Sequence, residues 1–581
     1  MTTIDILPVV DIPLPAIPDD LSIPQFFLDR RSAVPRPARP ADVPCLIDDT
    51  TGRKVLFDEL LHRSQALANA LATLYSIGED DVVLLYGRNN IDYPVAIWAA
   101  HRVGAIVSPA NPDYAANELE YQLKAAKAKL IISHPEAVDV ASAAAASVGL
   151  PQDKILVFDI PGQAPARASP YVSLESLIQH GLKETNVVER GLRPGEGRTK
   201  LAFLSFSSGT TGTPKAVAIP HYAVIANVVQ LGAANRLNED YASWNDRRFR
   251  TGDVAIGVLP LYHIYGLVIN LHFMLYAAMT VVIISRFNFE SMLKSIVKYR
   301  ISHLFIVPPQ AVLLCKHPSV KNYDLGSVRA LMTGAAPLSD ELAVMLHKLF
   351  PDAHIGQGYG MTETSTAVSL WPLDSKRGKS GSAGHLLPGV VARIVKEDGT
   401  YGARGEAGEL VVKSPSNALC YYNNKEATEE TFLEGGFVRT GDEAKITEEG
   451  DLFIIDRLKE IMKVRGFQVA PAELEGTLLQ HADVADTCVV GVPDEFSGEV
   501  PLAFVVLSAD AAKRVADGTS QIDAIRASII KYIADNKIGY KHLAGGVEFI
   551  DAIPKNPSGK LLRRVLREKA KAMRGTIKAR L

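Results

Sequence analysis

Ser207-Ser208-Gly209-Thr210-Thr211-Gly212-Thr213-Pro214-Lys215 is the stretch on which the reading of this chain turns. An apolar run, Leu201-Ala202-Phe203-Leu204-Ser205-Phe206, leads into it, and Tyr222-Ala223-Val224-Ile225-Ala226-Asn227-Val228-Val229 follows with helical spacing. Glycine lets backbone N–H groups turn inward, and serine and threonine hydroxyls add donors, so such a loop closes around a polyphosphate. Lys215 adds a mobile charge for the outer phosphates. Ser207, Ser208, Gly209, Thr210, Thr211, Gly212 and Lys215 are therefore candidate polyphosphate ligands. The Gly-x-x-x-x-Gly-Lys-Ser/Thr spacing of a Walker loop is absent. A plain polar surface turn is a poor reading of so biased a run placed straight after a buried-type strand.

The remainder of the chain frames this loop with alternating elements. Phe57, Leu60, Leu61, Ser64, Leu67, Leu71 and Leu74 mark one face of a helix. Short apolar runs at 82–86, 130–133, 253–259, 280–284, 303–307 and 328–333 read as strands, with helical patterns at 91–103, 117–128, 138–148, 289–299 and 339–350 between them. That alternation predicts parallel βαβ units covered on both faces. From Gly389 the strands shorten and Gly/Glu-rich turns multiply, which predicts a smaller β-rich subdomain. Near Asp456-Arg457-Leu458-Lys459 the texture changes to that of a compact α+β domain. The expected fold is α/β: a large N-terminal domain of two βαβ-type subdomains plus a small β-rich one, with a mobile α+β C-terminal domain. The expected boundaries are a Pro-rich extended arm over 1–40, a large domain over 41–456, and a C-terminal domain with a basic tail over 457–581.

Composition narrows the function classes. A chain of 581 residues exceeds one core, and 47% apolar with 22% charged residues is an ordinary globular balance. A net charge of -3 gives no basic field for nucleic acid. Cys45, Cys315, Cys420 and Cys488 are scattered and read as reduced thiols, not as a metal site or a disulfide frame. No basic residue precedes Arg30, which argues against a signal or transit peptide. The apolar run Leu271 to Ile284 is too short for a membrane span. The last 22 residues carry nine Lys/Arg against one acid, Glu568, and read as a solvated basic helix.

Six further stretches accompany the loop: Pro260-Leu261-Tyr262-His263-Ile264-Tyr265-Gly266, Gly334-Ala335-Ala336-Pro337, Gly356-Gln357-Gly358-Tyr359-Gly360-Met361-Thr362-Glu363, Arg439-Thr440-Gly441-Asp442, Asp456-Arg457-Leu458-Lys459 and Pro554-Lys555-Asn556-Pro557-Ser558-Gly559-Lys560. In this order and spacing the set resembles the acyl-adenylate-forming superfamily, in its 4-coumarate–CoA ligase-like and phenylacetate–CoA ligase-like branch. The resemblance implies an acid–thiol ligase that uses ATP, Mg²⁺ and coenzyme A to make an acyl-CoA thioester through acyl-AMP. It implies that Thr362 holds the α-phosphate and Glu363 the Mg²⁺, a hard cation that prefers carboxylate and phosphate oxygens. Asp442 would accept the ribose hydroxyls, with Arg457 beside it. Tyr359 would stack on adenine, Gly334 and Ala335 would let the ring approach, and Gln357, Gly358 and Gly360 would complete the nucleotide site. Lys560, on a Gly-bearing loop, would carry an ammonium to the reacting phosphate during adenylation.

The same resemblance assigns the second half-reaction. Lys459 is the expected pivot of the small domain, Lys463 and Gln468 belong to the adenylation arrangement, and Arg465 and Gly466 line the CoA tunnel. Arg286 would meet a CoA phosphate. Relatives often carry Lys at both arginine positions, so charge is kept while contact geometry differs. The acyl group would lie against His263, Tyr265, Met332, Ala335 and Gly358. Where hydroxycinnamate-specific members have Ala-Gly-Pro-Val, this chain has Thr364-Ser365-Thr366-Ala367, so Thr366 and Ala367 make that end roomier and slightly more polar. The expected substrate is an aromatic acid of phenylacetate or cinnamate type. A medium-chain fatty acid and luciferase-type oxygen chemistry are the alternatives. Lys215, Glu363, Asp442, Arg457 and Lys560 together disfavour a non-catalytic nucleotide binder. The terminal Ala579-Arg580-Leu581 is similar to a Ser-Lys-Leu address and implies peroxisomal location through an import receptor, otherwise cytoplasmic. Expected partners are small molecules, with no nucleic acid and no membrane span, in a monomer or homodimer.

Overall fold

Runs of Val, Ile and Leu too short for helices, separated by helices with one apolar stripe, build two stacked βαβ layers in the computed structural model of the chain. The structure describes all residues except 1–3, 161–169, 185–188, 208–213, 339, 466, 495, 556–558 and 579–581. Among the described residues the first sheet has eight strands. Its six parallel members run in the order Leu201–Ser207, Ile106–Ala110, Val82–Tyr86, Ala128–Ser133, Ile155–Val157 and Val172–Ser173. Lys215–Pro220 joins Leu201–Ser207 antiparallel, and Cys420–Tyr421 joins that strand at the sheet edge.

The second sheet has nine strands. Its parallel centre is His354–Met361, Ala330–Thr333, His303–Ile306, Val254–Gly257, Thr280–Ile283 and Leu46–Asp48. At one end Thr366–Leu370 folds back antiparallel on His354–Met361. The helices Tyr93–Arg102 and His221–Ala234 are buried along most of their length, and Trp98, Tyr93 and Phe203 lie at the centre of the shared core. Burying each such side chain contributes about 1.5–3 kcal/mol, which ties the two layers into one body.

The β-rich expectation beyond Gly389 is met by an antiparallel sheet of Val391–Val395, Ala407–Lys413, Phe437–Ile446 and Leu452–Arg457 with two short edge strands. The C-terminal sheet pairs Val484–Asp494 with Gly498–Leu507 under the helices Pro471–Leu478 and Ile522–Asn536. Among the described residues no helix is long and apolar enough to cross a membrane.

Two features differ from the sequence reading. The proline-rich arm is not extended throughout: Ser22 caps a short helix, Ile23–Phe27, whose Phe26 and Phe27 are buried, and Phe26 stacks on Tyr276 at 6.1 Å. Prolines hide such a helix because Pro24 at its first turn looks like a breaker yet suits that position. The basic tail helix, Arg563–Lys578, is not fully solvated. Leu566 and Ala570, one turn apart, pack on the C-terminal sheet, and Arg563 forms an inward ion pair with Glu475 at 2.6 Å.

Candidate active site

A cleft of about 650 Å³ opens where the two large sheets, the β-rich sheet and the C-terminal domain meet. Ser207 and Lys215 stand on its wall as cross-strand partners, so the base of the glycine-rich loop is pinned by an antiparallel pair. Ser208, Gly209, Thr210, Thr211 and Gly212 lie outside the described residues.

The Thr-Glu corner is a tight reversal. His354–Met361 runs into a single 3-10 turn, Thr362–Thr364, and returns as Thr366–Leu370, with Met361 opposite Thr366. Ser365 and Thr366 take positive φ, 51° and 108°, unfavourable for a β-branched residue such as Thr366. The Thr364 hydroxyl braces the corner, accepting from the Met361 N–H at 3.2 Å. Gly360 makes the reversal possible, because a Cβ there would stand 1.6 Å from the Thr366 carbonyl oxygen. Glu363 is 5% exposed, and its Oε1 accepts from Ser207 Oγ at 3.0 Å and Tyr421 Oη at 2.7 Å.

Tyr359 Oη donates to Asp442 Oδ2 at 2.5 Å, and Arg457 Nε lies 3.4 Å from Asp442 Oδ1. Asp442 and Arg457 are cross-strand partners, so the β-rich sheet sets their spacing. Burial raises the Asp442 pKa against the pull of Arg457, and burial next to Asp442 raises that of Tyr359. Lys560 enters the cleft from the C-terminal domain, where burial and then Arg457 lower its pKa to about 8. Gly559, next to it, lies against the large domain: a Cβ there would stand 3.0 Å from Val307.

The apolar end is formed by Tyr262, His263, Ile264, Tyr265, Met332 and Ala367. His263 Nδ1 accepts from the Tyr265 N–H at 3.2 Å, so the neutral ring carries its proton on Nε2. Burial, then Lys560, pushes its pKa down to about 4, and the ring is neutral at physiological pH. Gly334 leaves room for the Tyr265 ring, since a Cβ there would sit 3.2 Å from it. Gly358 does the same for the Met332 methyl, at 2.7 Å. Thr366 is less polar toward the cleft than the sequence suggests, because its hydroxyl donates to the Ile264 carbonyl at 3.1 Å.

Ser207, Lys215, His263, Tyr265, Met332, Gly334, Ala335, Gly358, Tyr359, Gly360, Thr362, Glu363, Thr366, Ala367, Arg457, Lys459 and Lys560 thus share one cleft, with Asp442 behind Tyr359. Other expected residues stand apart. Gln357 faces away: its Oε1 accepts from the Leu338 N–H at 2.8 Å. Lys463 pairs with Glu397 at 3.1 Å, and the Gln468 side-chain amide lies 3.2 Å from the Glu443 carboxylate, both outside the cleft. Arg465 donates to Ser497 at 3.3 Å, and Arg286 pairs on the surface with Glu136 at 3.1 Å. Gly466 lies outside the described residues. Tyr421 was not legible as a site residue: the short β-like run around it carries no motif, and only the sheet edge brings it to Glu363.

A Mg²⁺ ion fits this donor set. Among the described residues no cluster of three or more His, Cys, Asp or Glu could hold a metal alone. Magnesium is commonly held by one or two carboxylates together with substrate phosphates, and Glu363 supplies such a carboxylate beside the loop base.

Comparison with known proteins agrees with the geometry. Residues 34–422 match the family described as AMP-binding enzyme, and residues 473–560 match the AMP-binding enzyme C-terminal domain. The chain is 35% identical over 564 residues to 4-coumarate–CoA ligase 2 of Oryza sativa subsp. japonica, covering 95% of this chain and 94% of that protein. It is 35% identical over 567 residues to the acyl-CoA ligase easD of Emericella nidulans, covering 95% and 97%. The solved structure of ATP-bound MatB from Rhodopseudomonas palustris superposes with a TM-score of 0.79 at 26% identity, over 95% of this chain and 99% of that one.

Proposed function

The chain belongs to the AMP-binding enzyme family, and on that premise we propose that it is an ATP-dependent carboxylate–CoA ligase acting on an aromatic acid. One observation carries the reading: Lys560 of the C-terminal domain sits in the same cleft as Thr362, Glu363, Tyr359 and Arg457 of the large domain.

In the first half-reaction a carboxylate oxygen attacks the α-phosphorus of ATP, the bond to pyrophosphate breaks, and acyl-AMP forms. The chain's task is to position and neutralise a crowded, highly negative transition state. Lys560 brings its ammonium to the α-phosphate, Thr362 offers a hydroxyl there, and Lys215 faces the outer phosphates. Asp442 takes the ribose hydroxyls. Glu363 would hold Mg²⁺, which when bound neutralises polyphosphate oxygens. In the second half-reaction the CoA sulfur attacks the acyl carbonyl, its proton passes to solvent, and AMP leaves. Lys459 lies in the segment where the C-terminal domain would turn to admit CoA, bringing Arg465 and Gly466 toward the cleft, with Arg286 meeting a CoA phosphate.

An aromatic acid suits the apolar end, which Tyr265, Met332, Ala367 and the neutral His263 line, with Gly334 and Gly358 letting the Tyr265 ring and the Met332 methyl pack close behind it. The test is a panel of aromatic and aliphatic acids assayed for AMP release that requires both ATP and CoA. AMP release with aromatic acids and no light supports the reading; no release with any acid would overturn it. A preference for medium-chain aliphatic acids would reassign the substrate. Peroxisomal import through Ala579-Arg580-Leu581 is part of the proposal, and a tagged protein that stays punctate after deletion of the tripeptide would refute it.

A further inference from the structure

Tyr421 is a cleft residue that no motif accounts for, and it touches two of the groups that matter most. Its hydroxyl donates to Glu363 Oε1 at 2.7 Å, and Lys215 Nζ lies 4.9 Å from its ring centroid. Ser207 Oγ donates to the same oxygen of Glu363 at 3.0 Å. Two donors on one carboxylate oxygen fix how the carboxylate is turned, which a single bond would leave free to rotate. The segment before Tyr421 holds the Glu363 backbone as well, since the Ala418 N–H donates to the Glu363 carbonyl at 2.8 Å.

Tyr421 is itself well anchored. Cys420–Tyr421 pairs antiparallel with the strand that Lys215 begins, Tyr421 lying opposite Val217. Its N–H donates to Thr428 Oγ1 at 3.1 Å, and its ring meets Phe432 edge-on at 5.4 Å. A phenylalanine would fill the same space, so packing alone does not call for the hydroxyl. The bond to Glu363 does.

We infer that Tyr421 is a positioning residue for the phosphate end of the cleft, its hydroxyl setting the Glu363 carboxylate and its ring seating the Lys215 ammonium. One side chain thereby keeps the metal-holding and phosphate-holding groups in register. The inference rests on the adenylation reading for its catalytic meaning, but its test does not need turnover.

Full-length wild type, Tyr421→Phe and Tyr421→Leu are titrated with Mn²⁺ in the presence of α,β-methylene-ATP, following bound Mn²⁺ by electron paramagnetic resonance. Nucleotide affinity is measured separately in EDTA. Tyr421→Phe should weaken Mn²⁺ in the ternary complex by about tenfold, the scale of a hydrogen bond to a charged group, with metal-free nucleotide affinity held within about twofold. Tyr421→Leu should add a loss of metal-free nucleotide affinity of roughly threefold, because it also removes the aromatic face under Lys215. A phenylalanine variant with the wild-type Mn²⁺ titration would overturn the role of the hydroxyl. A leucine variant no weaker than phenylalanine in EDTA would overturn the role of the ring. Retained nucleotide binding by Tyr421→Phe shows that the fold stands. If the wild type forms no acyl-AMP with any acid, the proposed reaction fails while the metal titration still decides on Tyr421.

Discussion

Tyr359 and Asp442 are joined by a phenol–carboxylate hydrogen bond of 2.5 Å that links the second large sheet to the β-rich sheet at the floor of the cleft. The bond fixes the tyrosine ring and fills one oxygen of a carboxylate that is 5% exposed, while Arg457 faces the other. A buried carboxylate held by two partners is prepared for hydroxyl ligands, because Tyr359 and Arg457 fix its orientation and offset part of its desolvation before nucleotide arrives.

Asp442→Asn should therefore raise the KM for ATP about 10–100-fold, the range of a hydrogen bond to a charged group, with a smaller change in kcat. Pyrophosphate exchange measured against ATP concentration checks this. An unchanged KM would detach Asp442 from the nucleotide.

Lys560→Ala should lower acyl-AMP formation by about 10²–10³-fold or more, the scale of removing one preorganised transition-state donor. Thioester formation from supplied acyl-AMP should survive. Measuring the two half-reactions separately gives the answer, and equal loss in both would contradict the assignment.

The pH dependence follows from the same lysine. Its pKa is lowered to about 8, so its ammonium is complete below that and lost above it. The kcat/KM for adenylation, which reports the free enzyme, should fall as pH rises through about 8, while the CoA step from supplied acyl-AMP shows no such limb. For stability the sign is opposite: the unfolded chain keeps the proton up to the ordinary 10.5, so raising pH from about 8 to 10.5 relieves the cost of a buried ammonium. An adenylation profile flat to pH 10 would rule out this group as the controlling one.

Gly358 and Gly360 should respond differently to alanine. A Cβ at Gly360 meets the Thr366 carbonyl at 1.6 Å, a backbone atom that has nowhere to go, so Gly360→Ala should cost about 3 kcal/mol or more and unsettle the Thr-Glu corner. At Gly358 the nearest atom is the Met332 methyl at 2.7 Å, the end of a flexible side chain. Gly358→Ala should keep its thermal midpoint within a few degrees and change the acid preference instead. Thermal unfolding and the acid panel together decide, and equal destabilisation of the two variants would defeat the distinction.

Alone, the sequence determined the elements and the inventory of chemistry. Apolar runs of period two or 3.6 are local signals, and so is a cluster of hydroxyls and glycines; hence the strand at Val82–Tyr86, the helix at Phe289–Tyr299, and the Ser207, Thr362–Glu363, Asp442 and Lys560 motifs were legible in order along the chain. Tertiary structure alone decided which of these residues meet. It brings Lys560 to Thr362 and Asp442, leaves Lys463, Gln468, Arg465 and Arg286 outside the cleft, and turns Gln357 away to the Leu338 backbone. It also delivers Tyr421 to Glu363 across 58 residues of chain. The reason is physical: a residue's neighbours in sequence set its backbone and its capacity to bond, whereas the group it finally bonds is set by sheet order and domain placement.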